Sequence, residues 1–267
     1  MPQLPCQGEE KRLALQTFEN ITNAGLSMRA IILAAGLGTR LKPLTDHTPK
    51  ALVHFKGMPM VERVVRKLAG AGIWQIMVNV HHYAGAVAAF LERLEVEGVE
   101  LHISDESSLL MDTGGALLKA RQFLKEGDCF IVHNVDVFTN LNIPALIRRH
   151  REGGALATLA VKKRPTSRSL LFDGAGCLCG WVHNETGEKR MVRTPAGSVE
   201  DFGNTCVQVI DAGFLDFFPE TRPRSLTDMY LELAGQHRIG PFIHNGDYWY
   251  DLGRYENFIK ADKMVIS

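Results

Sequence analysis

The sequence predicts an α/β fold built on a doubly wound sheet, on three observations. Short apolar runs alternate with amphipathic helical stretches from Arg29 to Val161. The first of those runs stops abruptly at glycines, and residues 165–200 change to short polar pieces rich in glycine, which makes the expected sheet mixed, with a small antiparallel excursion.

Taken in order, Ala30 to Leu33 is a buried strand that ends at Ala34 and Ala35 and turns at Gly36 and Gly38. Met60, Val61, Val64, Val65 and Leu68 recur at helical spacing between Met58 and Ala71, and Gly70 and Gly72 close that helix. A strand is expected over 73–80, a helix over 84–94, a strand over 99–104, a helix over 115–125 and a strand over 129–132 that runs into His133-Asn134-Val135-Asp136. Sheets of this kind bind ligands beyond the C-terminal ends of their strands, which puts the glycine loop, the 79–83 loop and Asp136 on one edge. A helix over 144–150 and a strand over 155–161 follow. The excursion, about 162–204, holds strand-like pieces at 170–172 and 177–183 and reads either as the far wall of a cleft or as a surface hairpin. A returning strand over 205–210, a helix over 226–234, a strand end over 248–251 and a helix from Arg254 complete the chain. Residues 1–27 stand apart, with one short amphipathic helix permitted around Leu13, Leu15, Phe18 and Ile21, and are read as an accessory extension or a start-site artefact. Residues 28–267 are then one domain.

Thirty Lys and Arg balance thirty Asp and Glu, so neither a nucleic acid nor a membrane surface is expected as partner, since both need a basic excess. Five cysteines without a CxxC pair indicate reduced thiols, and no signal-like or spanning apolar run is present, so a soluble cytoplasmic protein is expected. Monomer and homodimer both remain open.

The chemistry gathers at the first strand. Amides of a glycine turn carry partial positive charge and leave room for close approach, so Leu33, Ala34, Ala35, Gly36, Gly38 and Thr39 form a candidate phosphate cradle. Arg40, Lys42 and Lys50 add full charges beside it. Leu41 occupies the third glycine position of a GxGxxG fingerprint and no acidic residue stands about twenty positions on, which argues against a dinucleotide site; GxxxxGK[ST] is absent too. Asp136 follows an apolar strand and faces that loop, where one or two carboxylates with phosphate oxygens and water suit Mg²⁺. Asp251, in YWYDLG, is the second candidate ligand, and only the fold can bring the two together. Thr113 is a candidate cap for the helix that follows, while Gly114 and Gly115 would let a flat ligand press on the backbone. Asn79, His81 and His82 lie on the same edge, although a loop histidine is equally read as solvated, and no third ligand makes the pair a zinc site.

LAAGLGTRLKPLT followed by TPKALVHFKGMPMVE resembles the signature of the sugar-1-phosphate nucleotidyltransferases, among them the N-acetylmuramate-1-phosphate uridylyltransferases and mannose-1-phosphate guanylyltransferases. The resemblance runs from Met28 to about Lys260. It implies a Rossmann-like fold of the nucleotide-diphospho-sugar transferase type, an NTP and a sugar 1-phosphate as substrates, Mg²⁺ as cofactor, and no covalent enzyme intermediate. It places catalytic roles on Arg40, Lys50 and Asp136, metal binding on Asp136 and Asp251, and nucleotide contacts on the glycine loop, Asn79, Asp112, Gly114 and Gly115. For the sugar phosphate it implies Glu200, Asn204 and one basic residue among Lys162, Lys163 and Arg168, of which Arg168 is chosen. UTP with an amino-sugar 1-phosphate is the first expectation. The alternatives are a mannose-1-phosphate guanylyltransferase and a binding domain without catalysis, the latter motivated by Val135, where relatives have glycine, and by Asn204.

Overall fold

The computed structural model describes residues 28–264; residues 1–27, with the helix expected there, lie outside the described residues. Its centre is β1 (Arg29–Leu33), whose apolar residues alternate between two cores. Ala30 and Ile32 face a cluster with α1 (Met60–Ala69) and α2 (Ala84–Leu91), while Ile31 and Leu33 face one with α3 (Asp112–Lys119) and α4 (Arg121–Leu124). Helices therefore cover both faces, as a buried parallel sheet requires.

A short hairpin of β2 (His54–Phe55) and β3 (Met58–Pro59) follows β1 in the chain. β1 pairs in parallel with β4 (Gln75–Val80) on one side and β6 (Cys129–Asn134) on the other, and β4 carries β5 (Glu100–Asp105) outward. The chain thus reverses its winding direction at β1, which opens a crevice beyond Leu33 and Asn134, partners in the register. After α5 (Ile143–Gly153), capped by the Asn142 side chain, the sheet continues with β8 (Ala157–Lys162) and the long β12 (Val199–Asp211), antiparallel to both β6 and β8.

The excursion extends the sheet. β9 (Arg168–Asp173), β10 (Leu178–His183) and β11 (Lys189–Met191) add antiparallel strands onto β12, completing a ten-stranded mixed sheet. α6 (Leu226–Leu233) and α7 (Tyr255–Asp262) close the two faces.

Two expectations change. The helix expected over 115–125 starts earlier and divides at Ala120, because the Gly114 and Gly115 amides donate to the Arg224 carbonyl at 2.9 and 3.1 Å and bring both glycines into the first turn. Thr113 does not cap this helix: its hydroxyl accepts from the Leu226 amide at 2.9 Å, serving the start of α6 instead. β13 (Ile239–Ile243) lies in a stretch to which the letters assign no element; it pairs with β8 at the edge of the sheet, where the missing donor of Pro241 is tolerated. Among the described residues no helix is long and apolar enough to cross a membrane.

Candidate active site

The loop after β1 is tied down from two sides. The Ala34 amide donates to Asn79 Oδ1 at 2.6 Å, Asn79 Nδ2 donates to Glu106 Oε1 at 2.8 Å, and Glu106 Oε2 accepts from the Met111 amide at 3.0 Å. Three consecutive strand ends are so joined through one fully buried carboxylate. Glu106 escaped the sequence reading: Asp105-Glu106 marks a strand end, but nothing in the letters says which side chain turns inward. Gly38 adopts the left-handed conformation (φ 71°), and its carbonyl accepts from Thr45 Oγ1 at 2.8 Å and the Leu41 amide at 2.9 Å. A Cβ on Gly36 would stand 3.1 Å from Lys50 Nζ, so glycine there lets the lysine lie across the loop. Thr39 and Arg40 sit exposed in the following 3₁₀ turn.

Opposite this loop the fold brings the two expected aspartates together. Asp136 follows β6; Asp251 lies on β14 (Trp249–Asp251), which pairs with β7 (Val137–Thr139) so that Asp251 stands opposite Val137. The Leu252 amide donates to the Asp136 carbonyl at 2.8 Å. Both carboxylates crowd Gly253, where a Cβ would stand 2.9 Å from Asp251 Oδ1 and closer still to Asp136 Oδ2. Lys50 Nζ lies 2.8 Å from Asp136 Oδ2, with both side chains largely buried.

Burial pushes the Asp136 carboxyl up, but the Lys50 ammonium, helped by Arg40, outweighs it and holds the group below the ordinary carboxylate range. Asp251 is raised, first by burial and then by the charge of Asp136, which Arg40 and Lys50 only partly offset. Two converging carboxylates that repel one another form a hard, oxygen-only donor pair, and this fits Mg²⁺. Val135 is buried in the core and is not among the residues with positive φ, so valine imposes no backbone strain there.

The crevice divides into two parts. One is a cavity of about 170 Å³ lined by Gly36, Lys50, Asn79, Glu106, Asp112 and Thr113. Asp112 takes φ 58°, with its own carboxylate accepting from the Thr113 amide at 2.6 Å. Gly114 and Gly115 turn toward the 222–229 segment, where a Cβ would stand 3.0 Å from the Arg224 carbonyl oxygen and 2.6 Å from that of Arg222. That close packing is itself a sufficient reason for both glycines. His81 Nδ1 lies 2.7 Å from the Glu106 carbonyl, and His82 rests on Tyr83.

The other side is a cleft of about 530 Å³ against the excursion, lined among others by Arg168, Trp181, Arg190, Asn204 and Asp228. Asn204 Oδ1 accepts from the Cys206 amide at 2.8 Å, supporting Cys206 at φ 59°. Of the three basic candidates, Lys162 is held by the carbonyls of Asn245 and Asp247, each at 2.6 Å, and Lys163 pairs with Asp201 at 3.2 Å and Glu200 at 3.7 Å. Arg168 alone of the three lines the cleft, and Glu200 does not line it. Among the described residues no group of three or more His, Cys, Asp or Glu forms a metal cluster.

A family model described as Nucleotidyl transferase matches residues 29–170, more than half of the chain. The mannose-1-phosphate guanyltransferase of Schizosaccharomyces pombe is 30% identical over 243 residues, covering 90% of this chain and 65% of that protein. The UTP–glucose-1-phosphate uridylyltransferase of a Synechocystis strain is 28% identical over 255 residues, 90% of this chain and 64% of that one. The chain thus spans just under two thirds of the curated relatives it matches. Among solved structures, a putative glucose-1-phosphate thymidylyltransferase from Bacillus anthracis superposes with a TM-score of 0.73 at 19% identity, over 90% of this chain and 98% of that one. At that identity the likeness speaks for the fold, a sugar-nucleotidyltransferase α/β sheet.

Proposed function

The chain belongs to the nucleotidyl transferase family, and from that premise we propose that it joins an NTP to a sugar 1-phosphate, making an NDP-sugar and pyrophosphate. The observation that carries the proposal is the meeting of Lys50, Asp136 and Asp251 at the mouth of the glycine loop. An oxygen of the sugar phosphate attacks the α-phosphorus of the NTP in line; the new P–O bond forms as the bond to the β-phosphate oxygen breaks, and pyrophosphate leaves. The nucleophile is already an anion, so no general base is required. What opposes reaction is repulsion between anions and the need to align them.

Each residue takes a share of that task. The amides around Gly36 and Gly38 cradle the NTP phosphates, and Lys50, lying across Gly36, sets its charge beside the α-phosphate. Arg40, exposed at the loop tip, is free to fold over the departing pyrophosphate. Asp136 and Asp251 would hold Mg²⁺, whose chemistry is to neutralise phosphate oxygens. The base lies toward Asn79, Asp112 and the Gly114-Gly115 turn. The sugar phosphate enters by the cleft of Arg168 and Asn204, with the 162–204 excursion as its wall and residues 28–267 acting as one domain; Glu200, paired with Lys163, is the least supported member of that set.

For the substrate pair, the relatives favour GTP with mannose 1-phosphate over UTP with an amino-sugar 1-phosphate. The binding-only reading loses one of its two motives, because Val135 sits in an unstrained backbone. Pyrophosphate release measured with Mg²⁺ across GTP, UTP, dTTP, ATP and a panel of sugar 1-phosphates tests the proposal. Turnover with one pair and its loss in Asp136→Ala are expected; release unchanged in Asp136→Ala would remove the metal assignment, and no release with any pair would remove the transfer reaction.

A further inference from the structure

Gln208 and Tyr230 are 3% and 1% exposed, yet Gln208 Oε1 and Tyr230 Oη have no hydrogen-bond partner. Buried polar atoms left this way are rare in folded proteins and call for an explanation. Gln208 comes from β12, where its neighbours Val207, Val209 and Ile210 are apolar and fully buried; Tyr230 comes from α6. Packing alone would be served as well by an apolar residue at either place.

Both residues line one small cavity of about 70 Å³. It shares Leu33, Thr113 and Asn134 with the nucleotide cavity and Asn204 and Thr227 with the sugar-side cleft, so it lies where the two substrates meet. No Lys, Arg, His, Asp or Glu lines it, and a charged group would lose its hydration there without a counter-ion. A phenolic hydroxyl and an amide oxygen together match a neutral O–H group, which donates to the amide oxygen while accepting from the phenol. Burial raises the Tyr230 pKa well above its ordinary value, so the phenol keeps the proton it would donate.

We propose that Gln208 and Tyr230 form a subsite for one neutral sugar hydroxyl and determine which substrate the site accepts. The inference rests on the transfer reading above, since it takes the junction of the two cavities as the meeting place of two substrates. The hydroxyl belongs either to the ribose of the nucleotide or to the ring of the sugar phosphate, and the test separates the two.

Dissociation constants for GTP, UTP, mannose 1-phosphate and glucose 1-phosphate are measured by calorimetry on the full chain, together with their 2′- and 3′-deoxynucleotide and monodeoxy sugar phosphate analogues. Wild type, Tyr230→Phe and Gln208→Met are compared. Both variants are expected to melt at or above wild type, because each removes an unpaired buried group, and to bind one of the two substrates about tenfold more weakly. The analogue lacking the subsite hydroxyl should bind wild type about tenfold more weakly than its parent, yet bind Tyr230→Phe as well as the parent does. Loss confined to deoxynucleotides assigns the ribose, and loss confined to deoxy sugar phosphates assigns the sugar ring. The analogue series on wild type needs no mutant, so a variant that fails to fold leaves the test intact. Constants within twofold across all analogues and variants would overturn the subsite and leave the cavity as a water site. Binding without pyrophosphate release would defeat the transfer reaction alone and leave the subsite to be judged on these constants; no binding of any of these ligands to wild type would overturn both.

Discussion

Replacing Lys50 by methionine keeps the unbranched side chain but for its last atom and removes its charge, so it isolates the ion pair with Asp136. The pair spans 2.8 Å, with the side chains 13% and 10% exposed, and Asp136 keeps Asp251 beside it as an unfavourable neighbour. Removing one partner of a buried pair costs about 3–5 kcal/mol. The lower end applies here, because Arg40 still faces the carboxylate. About 3 kcal/mol in a chain of this size lowers Tm by roughly 6–12 °C. The loss should be specific to the stranded charge, so Lys50→Met/Asp136→Asn, which puts a neutral amide in its place, recovers most of that drop without recovering activity. It should also depend on pH in a defined direction. Asp136 titrates below its ordinary value in the folded state, so its contribution is present above the unfolded pKa of about 3.9 and disappears as pH falls through the folded value. In Lys50→Met the stranded carboxylate takes up a proton more readily than in wild type, so the gap between the two narrows steadily as pH falls and closes once Asp136 is protonated in both. Calorimetric melts from pH 7 to pH 3 measure it. A Tm change under about 2 °C at pH 7, or a double variant no more stable than Lys50→Met, would refute the argument.

Three other substitutions follow from the same geometry. Gly253→Ala puts a methyl 2.9 Å from Asp251 Oδ1, so the carboxylate pair must part by about half an ångström or more; pyrophosphate release should fall at least about a hundredfold with the far-UV circular dichroism unchanged, and wild-type turnover would contradict the crowding. Asp251→Asn relieves a carboxyl whose raised pKa marks an ionised form disfavoured by folding; it should melt a few degrees above wild type at pH 7, a gain that fades as pH falls toward the unfolded pKa of about 3.9, while activity is lost. Equal melting at pH 7 would count against that. Gly114→Ala drives a methyl into Met229 and the backbone of Arg224 and Leu226, at 3.0 and 3.1 Å, so a Tm loss of roughly 4 °C or more is expected; a variant as stable as wild type would mean that the turn can yield.

Much of this architecture was legible in the letters because the relevant forces are local. β1 stands out because four apolar residues end at small ones and two glycines, and α1 because its six buried residues keep helical spacing. The order of elements then suffices for a doubly wound sheet, since right-handed crossovers leave few alternatives. Differences arise where a partner far along the chain overrides local preference. Gly114 and Gly115 read as lying before or at the start of the helix, but the Arg224 carbonyl holds them in its first turn, and the unassigned Pro241 lies in a strand because β8 offers an edge.

The candidate site divides in the same way. The sequence alone determined that a glycine loop with Arg40 and Lys50 behind it follows a buried strand, because backbone freedom and side-chain charge are properties of the residues themselves. It also marked Asp136 and Asp251 as acids at strand ends. Their convergence was decided only by the pairing of β7 with β14, which carries Asp251 across more than a hundred residues to the other side of Gly253. Glu106, Gln208 and Tyr230 were invisible for a related reason: a polar side chain becomes a structural anchor or an unsatisfied hydrogen-bonding group only when the surrounding elements exclude water from it, and exclusion of water is a property of packing.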